Sequence, residues 1–120
     1  MTEATTDLAL FELLSLDCRV DEYGIIRYFN AQEQLHRVHG PAIVYTDGSR
    51  AWFQNGQFHR LDGPAIEYSN GRREWYLNGQ RHRLDGPAIE WPAGYCAWYI
   101  NGEELTKAKW QQAVANMGRV

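Results

Sequence analysis

Histidines at a fixed spacing are the first residues in this sequence that could carry chemistry. They are His36, His59 and His82, each 23 residues from the next and each followed by an arginine. Imidazole can bind zinc or act as a general base, so a metal or catalytic site is one interpretation. In paired strands, however, equivalent residues two strands apart lie roughly 10 Å from each other, whereas zinc holds histidine nitrogens at about 2.1 Å. The spacing therefore favours a structural histidine ladder over a metal or catalytic site.

Other patterns typical of enzymes are missing from the sequence. It has no nucleophile with an ordered base, no glycine-rich phosphate loop and no zinc-binding pattern of cysteines. Asp62 and Asp85 each precede a glycine, and we expect them to accept hydrogen bonds from a turn backbone. Arg37, Arg60 and Arg83 are expected to pair with carboxylates or to lie over aromatic rings. We therefore expect no enzymatic activity, no metal and no cofactor.

Three further markers repeat in the same register and define the elements that must position these residues. Asn-Gly pairs start at Asn55, Asn78 and Asn101, and Gly-Pro-Ala triplets start at Gly40, Gly63 and Gly86. Aromatic pairs start at Trp52, Trp75 and Trp98. Asn-Gly supplies the positive φ angles of a tight hairpin turn, and Gly-Pro bends and breaks the next strand. The repeat therefore predicts tandem β-hairpins that form a ribbon of short antiparallel strands.

The two ends of the chain depart from the repeat and predict helices. Residues 7–17 are largely apolar and are interpreted as a short helix. Thr106 is a suitable N-cap and Gly118 a stop signal, and the apolar face between them is Trp110, Ala113, Val114 and Met117. The predicted fold is mainly β: an antiparallel meander sheet of tandem 23-residue hairpin repeats with a short helix at each end. Its parts are an N-terminal helical cap (1–22), a repeat β-sheet domain (23–105) that begins with a degraded copy, and a C-terminal helical cap (106–120).

Alternation along the strands separates two faces of the predicted sheet. We assign one set of residues to the buried face: Trp52, Trp75, Trp98, Ile43, Ile66 and Ile89. The glutamate-bearing face, with Phe53, Tyr76 and Tyr99, is expected to be exposed, and aromatic side chains beside arginines are typical of binding hot spots. The candidate protein-binding residues are Phe53, Phe58, Arg72, Arg73, Tyr76, Arg81 and Tyr99. For each residue singly, covering the sheet is an equally good interpretation.

A family resemblance rests on the order of these markers. Asp-Gly-Pro-Ala-Ile-Glu-Tyr at 62–68 is followed by a glycine turn, by Trp-Tyr-Leu-Asn-Gly at 75–79 and by His-Arg at 82–83. This pattern, over residues 23–105, resembles the MORN-like repeats of small bacterial and bacteriophage proteins. The resemblance implies a scaffold for protein contacts and, in some family members, contact with lipid head groups. The segment Asn-Gly-Glu-Glu-Leu-Thr at 101–106 is similar to that of phage-encoded proteins, which include inhibitors of host defences such as CRISPR systems.

Charge and composition narrow the class of partner. The net charge is −3, and residues 1–22 hold six acidic residues against one basic residue. Nucleic-acid binders usually concentrate lysine and arginine on one face, so nucleic acid is an unfavoured partner. No apolar run has the length of a membrane helix, and Cys18 and Cys96 are not spaced like a disulfide framework. We therefore expect no membrane contact and a cytoplasmic protein.

These observations lead to one predicted function and several alternatives. We predict a non-enzymatic protein-binding module, encoded by a phage or prophage, that inhibits a host protein such as a CRISPR-type defence complex. The alternatives are a nucleic-acid mimic, a nucleic-acid-binding protein that uses the arginine and aromatic face, and a structural homodimer. A homodimer is considered because one face of a single sheet needs a second layer, and two short helices give little cover.

Overall fold

The computed structural model describes residues 2–118, with side chains described for residues 7–118, and it is mainly β with a helix at each end. Helix α1 spans Thr2–Ser15 and helix α2 spans Lys107–Met117. The strands up to the second repeat are β1 (Asp17–Val20), β2 (Ile26–Phe29), β3 (Ile43–Val44), β4 (Arg50–Ala51), β5 (Phe53–Gln54) and β6 (Gln57–Phe58). The later strands are β7 (Ile66–Glu67), β8 (Arg73–Glu74), β9 (Tyr76–Leu77), β10 (Gln80–Arg81), β11 (Ile89–Glu90), β12 (Cys96–Ile100) and β13 (Glu103–Leu105).

Nine of these strands form one antiparallel sheet in the order β1-β2-β3-β4-β7-β8-β11-β12-β13. The hairpins β5–β6 and β9–β10 branch from it, and the second half of β12 forms the equivalent hairpin with β13. Each 23-residue unit thus gives two short strands to the main sheet and one hairpin beside it. The predicted antiparallel, hairpin-linked architecture with a helix at each terminus is confirmed.

The hairpin turns have the backbone angles that the Asn-Gly pairs predict. The φ angle is 51° at Asn55 and 80° at Gly56, and the pairs at 78–79 and 101–102 have similar values. The degraded first unit lacks the pair, and Glu33 takes a positive φ of 62° there instead. The side chain of Asn30 closes that loop, because its oxygen accepts hydrogen bonds from two backbone N–H groups at 3.0 Å. One polar side chain thus replaces the lost turn pair.

The assignment of residues to the two faces of the sheet is corrected by the register. Ile66 pairs directly with Glu74, and directly paired residues point to the same face. The glutamate is therefore on the isoleucine side, and Trp75, the next residue, is on the other. The prediction that the tryptophans share a face with the isoleucines is wrong. It assumed that a glutamate must face solvent, but Glu74 is compensated inside the protein by Arg72 and Arg81.

The same register reverses part of the predicted exposure. Phe53, expected on the exposed face, is only 9% exposed and packs with Ala42, Ile43 and Ala51 in the core. Tyr76 and Tyr99 are half-buried. We call the side with Ile43, Ile66, Ile89, Phe53, Phe58, Tyr76 and Tyr99 the aromatic face, and the side with Trp52, Trp75 and Trp98 the tryptophan face.

On the tryptophan face, a guanidinium is inserted between an indole and a glycine. The Arg60 Cζ atom lies 3.8 Å from the centre of the Trp52 ring. A Cβ atom on Gly63 would come within 3.0 Å of that same Cζ. Arg83 repeats the arrangement against Trp75 and Gly86, and Arg37 against Tyr28 and Gly40. The glycine of Gly-Pro-Ala lies at the predicted bend, and its lack of a side chain also permits the close approach of an arginine.

Asp62 and Asp85 hold these arginines in place. Asp62 accepts a hydrogen bond from Arg60 Nε at 3.0 Å, and Asp85 accepts one from Arg83 Nε at 2.8 Å. The predicted bonds to the turn backbone are replaced by these ion pairs, whose hydrogen bonds are strengthened by charge. The expected pairing of Arg60 and Arg83 with both carboxylates and rings is present.

The histidine ladder joins successive units. The Nδ1 atom of His36 accepts a hydrogen bond from the backbone N–H of Asn55 at 2.9 Å, and His59 and His82 do the same for Asn78 and Asn101. Because Nδ1 is an acceptor, the neutral ring carries its proton on Nε2. Each histidine thus fixes the turn of the hairpin in the next unit, which is a structural role.

The terminal helices dock differently. Helix α1 begins before residue 7 and ends at Ser15, earlier than predicted, and β1 follows it without having been predicted. The Glu12 carboxylate accepts hydrogen bonds from the backbone N–H groups of Val38 and His39 at 2.6 and 2.8 Å. Helix α2 is capped by Thr106 as predicted. Its Trp110 is 4.6 Å from the Trp98 ring and donates from Nε1 to the backbone oxygen of Arg83 at 2.8 Å.

Candidate functional site

Most of the predicted binding residues form one row on the aromatic face. Phe53 and Phe58 are direct partners in the β5–β6 hairpin, with ring centres 4.2 Å apart. The Tyr76 ring of the next hairpin lies 5.0 Å from Phe58. The guanidinium of Arg81 then lies between two tyrosines, 5.8 Å from the Tyr76 ring and 5.4 Å from the Tyr99 ring. Five candidate residues from three successive units are thus in one continuous row.

A buried carboxylate lies beside this row. Glu74 is 2% exposed, and its two oxygens contact Arg72 Nη2 at 2.8 Å and Arg81 Nη2 at 3.3 Å. The Tyr76 hydroxyl donates to the same carboxylate at 3.1 Å. Arg72, another candidate, is therefore linked to the row through Glu74. Two arginines against one glutamate leave this cluster with a formal charge of +1.

The cluster changes the protonation properties of its neighbours. Burial raises the pKa of the Tyr76 hydroxyl, and the nearby Glu74 charge raises it further. The pKa of Tyr68 is raised for the same two reasons in the same order. The pKa of Arg81 is also raised: burial opposes its charge, but Tyr76 and Glu74 outweigh that effect. Both tyrosines therefore stay neutral and Arg81 stays charged over the physiological range.

Arg73 is separated from the other candidates. It follows Arg72 directly but pairs in register with Glu67 and Glu90, whereas its neighbour Glu74 pairs with Ile66 and Ile89. Its side chain therefore points to the tryptophan face, with Nε 3.9 Å from a Glu90 oxygen. The structure brings together Phe53, Phe58, Arg72, Tyr76, Arg81 and Tyr99 and leaves Arg73 outside.

The aromatic face also carries residues that were not predicted as binding residues from the sequence. Tyr45, Tyr68 and Trp91 occupy equivalent positions 23 residues apart, and they form a second aromatic row across the main sheet. Between Tyr45 and Tyr68 lies an open cavity of about 330 Å³, which we call the tyrosine slot; its other lining residues are Asp47, Ser49, Ala51, Phe58 and Ile66. The signal for this row was present in the sequence, because alternation from Ile66 places Tyr68 on the same face.

Two larger grooves lie on the tryptophan face. One, of about 550 Å³, is lined by residues that include Ala9, Trp52, His59 and Leu61. The other, of about 540 Å³, is lined by residues that include Leu61, Trp75, His82 and Leu84. At the end of the array Trp110 packs on the equivalent tryptophan, Trp98. Helix α2 therefore closes this face at its end.

In the part of the chain that the structure describes, no group of three or more His, Cys, Asp and Glu side chains could hold a metal ion. The arrangement of both faces consists of rings, guanidiniums and carboxylates in mutual contact, which suits recognition of another molecule through stacking and charge. No described helix has the length and hydrophobicity needed to cross a bilayer.

Comparison with protein-family models, curated proteins and solved structures gave no match for this chain. The likeness to MORN-like repeats therefore stays a prediction from the motifs.

Proposed function

We propose that this protein is a non-catalytic protein-binding module that recognises its partner with the aromatic face. The observation that carries the proposal is the row of half-buried rings and guanidiniums from Phe58 to Tyr99, next to an open slot walled by Tyr45 and Tyr68. Such rings give contact area at low conformational cost, and interface hot spots are enriched in tyrosine, tryptophan and arginine.

The resemblance to phage MORN-like proteins extends the proposal to a class of target. We propose that the partner is a bacterial host protein, such as a component of a CRISPR-type defence complex, and that binding inhibits it in the host cytoplasm. The arginine pairings argue against nucleic acid as the partner, because Arg50, Arg60 and Arg83 each contact a glutamate and are partly neutralised.

Capture of a partner by matched variants tests the proposal. The tagged protein is expressed in a bacterial host with intact defence systems, alongside Tyr68→Ser and Tyr99→Ser on the aromatic face. Leu61→Ser is the control, since Leu61 is 81% exposed and lies on the tryptophan face. We expect both tyrosine variants to lose the partner at least tenfold and Leu61→Ser to retain it. Equal capture by all variants would overturn the proposal, and a steep loss of capture with salt would point to nucleic acid instead.

A structural homodimer is a second candidate, and helix α1 favours it. Ala9, Glu12 and Leu16 face the body of the protein, whereas Leu10, Phe11 and Leu14 point away from it and are 55%, 74% and 78% exposed. A helix with apolar side chains on opposite sides needs a layer on each side. The outward-pointing apolar side chains, which we call the outer stripe of α1, are thus available to a second copy of the chain.

A further inference from the structure

Two successive units of this protein differ at the same position on the aromatic face; counted from Gly40, the first unit holds Ser49 and the second holds Arg72. The tyrosine slot lies between Tyr45 and Tyr68, and one unit later the equivalent space lies between Tyr68 and Trp91. The residues around the two spaces are related by the 23-residue spacing: Ser49, Ala51 and Phe58 correspond to Arg72, Glu74 and Arg81. Ile66, which lines the slot, corresponds to Ile89 by the same spacing, and both isoleucines are buried.

In the second unit an arginine fills the space. The Cζ atom of Arg72 lies 5.2 Å from the Tyr68 ring centre and 5.1 Å from the Trp91 ring centre, so its guanidinium is held between two aromatic faces. A carboxylate completes the site, because Glu74 contacts Arg72 Nη2 at 2.8 Å. Cation–π attraction and a charge-assisted hydrogen bond act together on one planar cation.

In the first unit the arginine is replaced by serine and the space is open. Ser49 is too short to fill the gap between the rings, which leaves the 330 Å³ tyrosine slot. A carboxylate is nevertheless present there, because Asp47 lines the slot. The backbone and hydroxyl groups of Ser49 hold the pKa of Asp47 below its usual value, so it is ionised at neutral pH. The slot thus has the aromatic walls and the negative charge of the filled site without its cation.

We propose that the tyrosine slot binds an arginine side chain of the partner protein, with the guanidinium between Tyr45 and Tyr68 and its charge directed to Asp47. A planar guanidinium fits between two rings better than the compact ammonium of lysine, as Arg72 shows in the next unit. The proposal rests on the proposed function and specifies its partner: a segment with an exposed arginine, rather than an acidic or phosphate-bearing surface.

A pair of small probes tests the chemistry of the slot without the partner. The full-length protein is titrated with N-acetyl-arginine amide and with N-acetyl-citrulline amide, which has the same shape but no charge, while ring resonances are followed by NMR. We expect the arginine probe to shift the Tyr45 and Tyr68 rings with at least tenfold higher affinity than the citrulline probe. Tyr23, 73% exposed and not a lining residue of the slot, should not respond.

Two variants test whether the response to the arginine probe arises in the tyrosine slot. Ser49→Arg copies the residue of the second unit and should fill the slot from within, which would abolish the response to the arginine probe. Asp47→Asn keeps the hydrogen-bond acceptor for Ser49 but removes the charge, and it should weaken the arginine probe several-fold without affecting citrulline. Because Asp47 is at a surface turn, this variant remains informative if Ser49→Arg fails to fold.

The outcomes separate this inference from the proposed function. Equal affinity for the two probes, or an unchanged response in Asp47→Asn, would overturn the arginine assignment, even if Tyr68→Ser still loses the captured partner. If the arginine probe binds as expected but the aromatic-face variants capture their partner normally, the proposed function fails and the chemistry of the slot stands.

Discussion

At the scale of single residues, the informative positions are those that differ between equivalent places in the repeat. Ala51, Glu74 and Ala97 occupy the same position in three successive units. The two alanines are buried and apolar, whereas Glu74 is a charged side chain that is only 2% exposed to solvent. Burial of an ion costs several kcal/mol unless partners offset it. Arg72 and Arg81 are those partners, and both also differ from their counterparts in the neighbouring units. The three substitutions are therefore one coupled change.

Removal of Glu74 alone should destabilise the protein. Glu74→Ala leaves two guanidiniums without their shared carboxylate, and we expect a loss of about 3–5 kcal/mol in the free energy of unfolding. The alanine itself fits, because the equivalent residues are alanines. Urea unfolding measures the effect. The triple variant Arg72→Ser, Glu74→Ala, Arg81→Phe copies the preceding unit and should recover most of the loss. A single variant as stable as the parent protein would contradict the coupling.

The raised pKa values of Tyr68 and Tyr76 predict a loss of stability in alkali. The unfolded tyrosines ionise near their ordinary pKa of 10.0, while the folded ones hold their protons to higher pH. Their contribution is therefore complete below about pH 10 and is lost as the pH rises towards the folded pKa values. Melting temperatures measured from neutral pH into this range should fall. Tyr76→Phe, which lacks the ionisable hydroxyl, should reduce the slope, and an unaltered slope would exclude Tyr76 as a cause.

At the scale of elements, each hairpin is joined to the next by a histidine and an arginine. The histidine fixes the turn of the following hairpin, and the arginine lies between an aromatic ring and a glycine. This explains why His-Arg and Gly-Pro-Ala recur in one register. The element that ends the array lacks the arginine, and α2 supplies Trp110 against Trp98 in its place.

The close approach of arginine to glycine can be tested at Gly63. A methyl group there would lie 3.0 Å from the Cζ atom of Arg60, so in Gly63→Ala the guanidinium must shift by a few tenths of an ångström from its position on the Trp52 ring. We expect a loss of about 1–3 kcal/mol, typical of overpacking, measured by urea unfolding. The same change in an Arg60→Ser background should cost less than half as much. Additive losses in the double variant would mean that the two residues do not interact.

At the scale of the whole molecule, the sheet presents two different surfaces and α1 presents a third. The outer stripe of α1 is self-complementary in an antiparallel pair centred on Phe11. In that arrangement Leu14 of one copy lies opposite Leu8 of the other, and the acidic Asp7 lies opposite the uncharged Ser15. A parallel pair would instead place the two Asp7 carboxylates side by side. We therefore expect any dimer of this protein to form through antiparallel α1 helices.

Oligomeric state measured by sedimentation equilibrium tests this expectation. Leu14→Arg places a charge in the stripe, opposite Leu8 of the other copy, and should shift the protein to monomer. The monomer should still fold, since Leu14 is 78% exposed. Leu61→Arg, at an equally exposed leucine on the tryptophan face, is the control and should leave the association unchanged. A dimer that persists in Leu14→Arg but dissociates in Leu61→Arg would place the interface on the sheet.

Most residues of the candidate site could be predicted from the sequence, and there is a physical reason why the others could not. The candidate residues from Phe53 to Tyr99 were predicted as aromatic side chains beside arginines, and all but Arg73 lie together on the aromatic face. Arg73 was misplaced because the burial of Glu74 was not expected. Tyr45 and Tyr68 were missed because they look like ordinary strand residues until an open space appears between them.

The sequence by itself determined the architecture, because local interactions specify it. Asn-Gly pairs fix the turns through positive φ, the 23-residue period fixes the register, and Thr106 begins the last helix. Only the tertiary structure decided which side chains are buried, because both faces carry some of them, such as Ile66 and Trp52. Alternation gives two faces but not the burial of each side chain, which depends on whether Glu74 meets its two arginines and whether Arg60 can cover Trp52. Those contacts depend on how different strands pack together, so the sequence of one strand does not reveal their interaction energies.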